Sequence, residues 1–156
     1  MKTIASLVLA ASCAALVIPV AAQDPGAAAG RPLPEPKTEN GVKYVCGGIG
    51  MTEAERMKAL SREYDLMITF AASNGAYLAD IGVEIAHGKD KLLTANCGGP
   101  IMLVDVPKAG TYRITADTEG QQQVRTARVR DGVTGKRVNV TWPVRLVDRP
   151  DTAARD

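Results

Sequence analysis

Aromatic side chains are scarce in this chain: one phenylalanine, one tryptophan and four tyrosines among 156 residues. Any core must therefore rest on Val, Ile, Leu and Met, and it will be small. Histidine is scarcer still. His87 stands alone, and one imidazole without carboxylates or thiolates around it makes no zinc site. It reads as a solvated turn residue. No Cys-x-x-Cys occurs, which argues against a thioredoxin-like redox pair. Beyond residue 22 the only serines are Ser61 and Ser73, and neither sits in a nucleophile-elbow pattern. Neither sign of charge dominates: 19 basic side chains face 17 acidic ones. Nucleic-acid binding asks for a clustered basic surface, so the balance argues against it and gives no reason to expect adsorption to anionic lipid.

Long apolar runs are absent too, with one exception at the start. Lys2 precedes an almost unbroken apolar stretch over residues 4–20, followed by Val20-Ala21-Ala22. A positive n-region, an apolar h-region and small residues at the cleavage positions make a secretory signal peptide over 1–22, cut before Gln23. As a membrane anchor the run is at the lower length limit, Pro19 interrupts it, and no basic stop-transfer cluster follows. Cys13 faintly resembles a lipidation site, but Ala10 stands where Leu is usual. Loss of the leader removes Lys2 and leaves 18 basic and 17 acidic side chains. The expectation is an exported chain, periplasmic or secreted, with no membrane span after cleavage.

Two cysteines remain, Cys46 and Cys97. An even pair in an oxidising compartment is most simply a disulfide; free thiols or a shared metal are the rivals. Cys46-Gly47-Gly48 echoes Cys97-Gly98-Gly99, too short a match to be a repeat.

Residues 23–42 are rich in Ala, Gly and Pro and read as a disordered linker. The domain is expected over 43–143, with a disordered tail over 144–156. One helix is expected at about 52–64: Thr52 and Glu55 form a capping box, and Ala54, Met57, Leu60 and Tyr64 recur at helical spacing. That stripe should pack on a sheet. From Asp65 the period becomes two. Strands are expected at 66–70, 77–85, 92–96, 101–106, 112–116, 121–130 and 138–142, with Asn74-Gly75 as a hairpin signal and a bulge or late start near Val124. Seven short strands at this spacing predict a mainly β fold, an antiparallel seven-stranded β-sandwich of prealbumin or Ig type, with a partly open barrel as the alternative.

Chemistry-bearing pairs are weak. Asp80 and Glu84 share a face of one expected strand, about 13 Å apart by strand rise. Met51, Met57, Met67 and Met102 could bind copper only as a tight cluster, which the sequence does not show. No catalytic, cofactor or metal residue is assigned.

The segment Ile101-Met-Leu-Val-Asp-Val-Pro-Lys-Ala-Gly-Thr-Tyr-Arg-Ile-Thr-Ala116, with the strand-like Gly75–Ile85 before it and Asp117-Thr-Glu-Gly120 after it, resembles the carboxypeptidase regulatory-like domains, which have a transthyretin-like sandwich. The resemblance covers about Asp65–Trp142. It implies structural roles for Pro107, Gly110 and Tyr112: Pro107 stops a strand, Gly110 permits a turn, and Tyr112 packs inward while its hydroxyl seeks a partner. Such modules sit beside peptidases, in envelope proteins and alone, and carry no catalytic residues. Transthyretin-like hydrolases need several histidines and a serine-containing C-terminal motif, which this chain lacks. The expected function is therefore a noncatalytic accessory or interaction module with an envelope protein as partner, contacting it through a sheet edge or the Cys-Gly-Gly loops. A small-ligand or carbohydrate-binding module is the alternative, weakened by the shortage of aromatics for stacking on sugars, and a hydrolase of transthyretin-like type is the remote one.

Overall fold

The computed structural model describes residues 32–144. The expected leader, the cleavage site, Cys13, residues 23–31 of the linker and residues 145–156 of the tail lie outside the described residues. Nine strands, one α-helix and one 3-10 turn follow in order: β1 (Lys37–Glu39), β2 (Val42–Gly47), α1 (Met51–Leu60), the 3-10 turn (Ser61–Glu63), β3 (Leu66–Ala72), β4 (Ile81–His87), β5 (Asp90–Cys97), β6 (Ile101–Asp105), β7 (Gly110–Thr118), β8 (Gln121–Val129) and β9 (Lys136–Trp142). They form a five-stranded sheet, β1-β2-β6-β3-β9, and a four-stranded sheet, β5-β4-β7-β8.

The count of seven strands is corrected to nine. All seven expected strands are present, and β1 and β2 add a hairpin in front of them. Its turn is Asn40-Gly41, both with positive φ (46° and 79°), the backbone a two-residue type I′ hairpin requires. Lys37–Glu39 therefore pairs with β2, inside the stretch read as linker. The arrangement also departs from fully antiparallel. β3 and β9 pair in parallel from Leu66↔Lys136 to Ala72↔Trp142. Asn74-Gly75 makes a turn but not a β3–β4 hairpin. Both edges of β3 are already taken, by β6 and β9, so the chain crosses to the other sheet after a lone Ala71↔Tyr77 bridge.

Two apolar clusters explain the sequence pattern. The main one lies between the sheets and includes Leu66, Ile68, Phe70, Met102, Val104, Ile81, Val83, Ile85, Tyr112, Ile114, Val140 and Trp142. A second lies under α1 on the outer face of the larger sheet: Val45, Ala54, Met57, Tyr64, Met67, Ile101 and Leu103, with Leu60 against it. The helix thus packs its stripe on the sheet as expected. Strand β6 is buried on both faces, Met102 and Val104 inward and Ile101 and Leu103 beneath the helix. This is why it reads as a continuous apolar run instead of an alternation.

Strand β8 pairs with β7 in unbroken register from Thr118↔Gln121 to Gly110↔Val129. No bulge occurs near Val124, which points to the outer face and is exposed. The bulge lies at Ile85/Ala86, where β4 pairs with β5.

Candidate functional site

The two Cys-Gly-Gly segments meet at one end of the sandwich. Cys46 comes from β2 in the larger sheet and Cys97 from the end of β5 in the smaller one. They form a disulfide with Cα atoms 5.3 Å apart, a covalent tie between the two sheets. The pairing fits an oxidising compartment. Cys97 is fully buried and Cys46 half-buried.

The glycines beside the bridge let two backbones touch. A Cβ on Gly99 would fall on the carbonyl of Gly47. This close approach is a requirement that the Cys-Gly-Gly echo did not reveal by itself. From Gly47 the chain runs through Gly48 (φ 92°) and Gly50 (φ 80°) into α1. Gly50 is the N-cap, and no side chain caps from that position. The capping box expected from Thr52 and Glu55 is therefore corrected, since α1 starts at Met51 and both residues lie inside its first turns. Glu53, in the first turn of α1, instead folds back onto the loop that precedes the helix. Its Oε1 accepts hydrogen bonds from the amides of Gly48 (2.7 Å) and Ile49 (3.4 Å). The acidic group also sits at the positive pole of the helix.

The result is a short loop fixed at both ends, by the disulfide on one side and Glu53 on the other. It leaves Ile49 61% and Met51 78% exposed. Ile49 on the pinned loop and Met51 at the first position of α1 are thus two large apolar side chains left to solvent, and their exposure brings the fold no burial. Sequence reasoning singled out the Cys-Gly-Gly loops and weighed Met51 only as a copper ligand; it passed over Ile49 and Glu53. The available signal was Gly-Ile-Gly-Met, apolar residues set between glycines where no strand or helix pattern buries them. Beside the loop is a cleft of about 200 Å³ bordered by Pro34, Tyr44, Cys46, Asn96 and Gly98. That is below the usual size of a small-molecule pocket.

The opposite end holds the Pro107, Gly110 and Tyr112 turn. Pro107 lies just past the end of β6. Tyr112 is fully buried, and its hydroxyl donates to the Lys108 carbonyl at 2.7 Å. Burial pushes its phenol above the ordinary value, and the Asp65 charge adds to the rise. The reason for Gly110 is corrected. Its φ is not in the left-handed region; a Cβ there would lie 2.5 Å from His87 Nε2. His87 is likewise no solvated turn residue. It ends β4, is half-buried, and sets its ring 4.9 Å from that of Tyr112.

The other candidates do not converge. Met57 of α1 and Met67 of β3 share the cluster between helix and sheet, Met102 lies between the sheets, and Met51 faces solvent. Asp80 precedes β4 with φ 56°, and Glu84 pairs with Lys91 at 2.5 Å, so the two carboxylates do not share a strand. Ser61 Oγ donates to the Lys58 carbonyl at 2.7 Å, and Ser73 is an exposed turn residue. Among the described residues no group of three or more His, Cys, Asp or Glu is placed to hold a metal ion, and no helix is long and apolar enough to cross a membrane. At one edge of the larger sheet, β1 is three residues long and carries charge at Lys37 and Glu39, features that discourage strand addition there. No family model matches the chain, and no curated protein matches it significantly.

Proposed function

We propose that this chain is an exported, noncatalytic β-sandwich module of the cell envelope, of carboxypeptidase regulatory-like type, that binds a partner protein through the Cys-Gly-Gly end. The observation that carries the reading is the exposure of Ile49, on a loop pinned by the Cys46–Cys97 disulfide and the Glu53 carboxylate, and of Met51, the first residue of α1. A preorganised apolar contact pays little ordering entropy on association, so even a small patch can anchor an interface. The disulfide supports an oxidising location, and the leader-like residues 1–22 support export to the periplasm or beyond. The sandwich supports the family resemblance through the turn at Pro107 and the hydrogen-bonded Tyr112.

The test is in-cell crosslinking followed by purification of the chain under denaturing conditions. An envelope protein recovered with the wild type and lost with Ile49→Ser/Met51→Ser supports the reading. Recovery unaffected by that variant sinks it. The same digest reads the mature N-terminus, for which Gln23 is expected.

A further inference from the structure

The composition is nearly charge-balanced, but the fold gathers positive charge in one place. A groove of about 500 Å³ lies between the last turn of α1 and the β8–β9 connection, at the far end of the helix from the Cys-Gly-Gly loops. Lys58, Ser61 and Arg62 line one side; Thr134, Gly135 and Arg137 line the other. Three of the lining side chains are cationic and none is acidic. All three cations are exposed. Neither the Lys43–Asp105 nor the Lys91–Glu84 ion pair involves them.

The walls are fixed by backbone bonds. The Gly135 amide donates to the Tyr64 carbonyl at 2.7 Å, and the Lys136 amide donates to the Asp65 carbonyl at 3.0 Å. Gly135 has φ +70°, and a Cβ there would lie 3.5 Å from the Ser61 carbonyl. Lys58 holds its ammonium 5.6 Å from the Tyr77 ring centroid, a cation–π placement. The negative pole of α1 accounts for one lysine in its last turn. It does not account for Arg137, which arrives from β9. Like charges around one concavity repel, and a bound anion offsets that repulsion. Two guanidinium forks and a threonine hydroxyl match the oxygens of a tetrahedral oxyanion.

The geometry points to a binding site for a phosphoryl group in the Lys58–Arg62–Arg137 groove, presented as free phosphate or as a phospholipid headgroup. It is independent of the loop contact proposed above.

The full chain is titrated with sodium phosphate, against sodium chloride at matched ionic strength, while amide shifts are followed by NMR. In parallel, the chain is floated with phosphatidylglycerol/phosphatidylcholine vesicles and with phosphatidylcholine vesicles alone. The site predicts saturable shifts at Arg62, Thr134 and Gly135, or selective flotation with phosphatidylglycerol. Either response weakens by about tenfold or more in Arg62→Gln/Arg137→Gln, as expected for losing charge-assisted bonds. Phosphate shifts alone identify the free anion as the source, and variant-sensitive flotation identifies the headgroup. Phosphate shifts that track chloride, together with no variant-sensitive flotation, overturn the proposal. Arg137→Gln alone makes the same comparison should the double variant not fold.

Discussion

Breaking the Cys46–Cys97 bond is the perturbation whose size follows most directly from the fold. The bond joins residues 51 apart in sequence, and for a loop of that length the chain-entropy model assigns about 4 kcal/mol of stabilisation. That is a large share of the roughly 5–15 kcal/mol by which domains are stable. For a domain of this size each kcal/mol moves Tm by roughly 4 °C, so the loss should lower Tm by roughly 15 °C. The cause is the freed denatured chain, so the urea m-value should rise as the midpoint falls. The assay is circular dichroism in urea and on heating, for the oxidised chain and for Cys46→Ala/Cys97→Ala. A stability change below about 1 kcal/mol would refute the reasoning. It would mean that the Gly47–Gly99 backbone contact and the β2–β6 pairing already confine that end of the sandwich without the bridge.

Three further outcomes are expected. Gly99→Ala should cost about 1–3 kcal/mol in urea unfolding, because its methyl falls on the Gly47 carbonyl and the backbone must shift. Glu53→Ala should cost about 1 kcal/mol and speed hydrogen exchange at the Gly48 and Ile49 amides; unchanged protection there would deny that Glu53 pins the loop. Tyr112→Phe should cost about 1 kcal/mol by losing the bond to the Lys108 carbonyl. Because the folded phenol titrates above its unfolded value, the native state holds its proton longer. Its contribution is fully present below about pH 10 and is lost as pH rises through the folded value. Equilibrium unfolding across that range should show the slope in the wild type and its reduction in Tyr112→Phe.

The strands most legible in sequence were those with one buried face and a clear turn. Tyr112, Ile114 and Ala116 alternate because only one side of β7 meets the core. Strand β2 carried the same signal at Val42, Tyr44 and Cys46, and Asn40-Gly41 is the strongest kind of hairpin turn. The proline-rich composition ahead of it masked that signal, because composition averages over a window while pairing is decided residue by residue. The parallel β3–β9 pairing left no local mark. Neither strand says which edge it will occupy, since that is settled by β6 filling the other side of β3. At the candidate site the cysteine pairing was readable from the even number of cysteines and the expected export. The contact of the two glycine segments was not, because it depends on sheet-to-sheet distance. The Thr52/Glu55 motif fits a capping box, yet the helix begins earlier, at Met51, and Glu53 reaches back to two amides of the preceding loop. The basic groove was invisible because Lys58, Arg62 and Arg137 come from segments far apart in the chain.

The most direct test of the proposed function is site-specific photo-crosslinking in intact cells, with a photoreactive residue at position 51 and a control at Lys89 on the turn at the other end of the sandwich. The account predicts a discrete adduct with one envelope protein from position 51 and none from position 89. No adduct from position 51, or equal adducts from both, would contradict it.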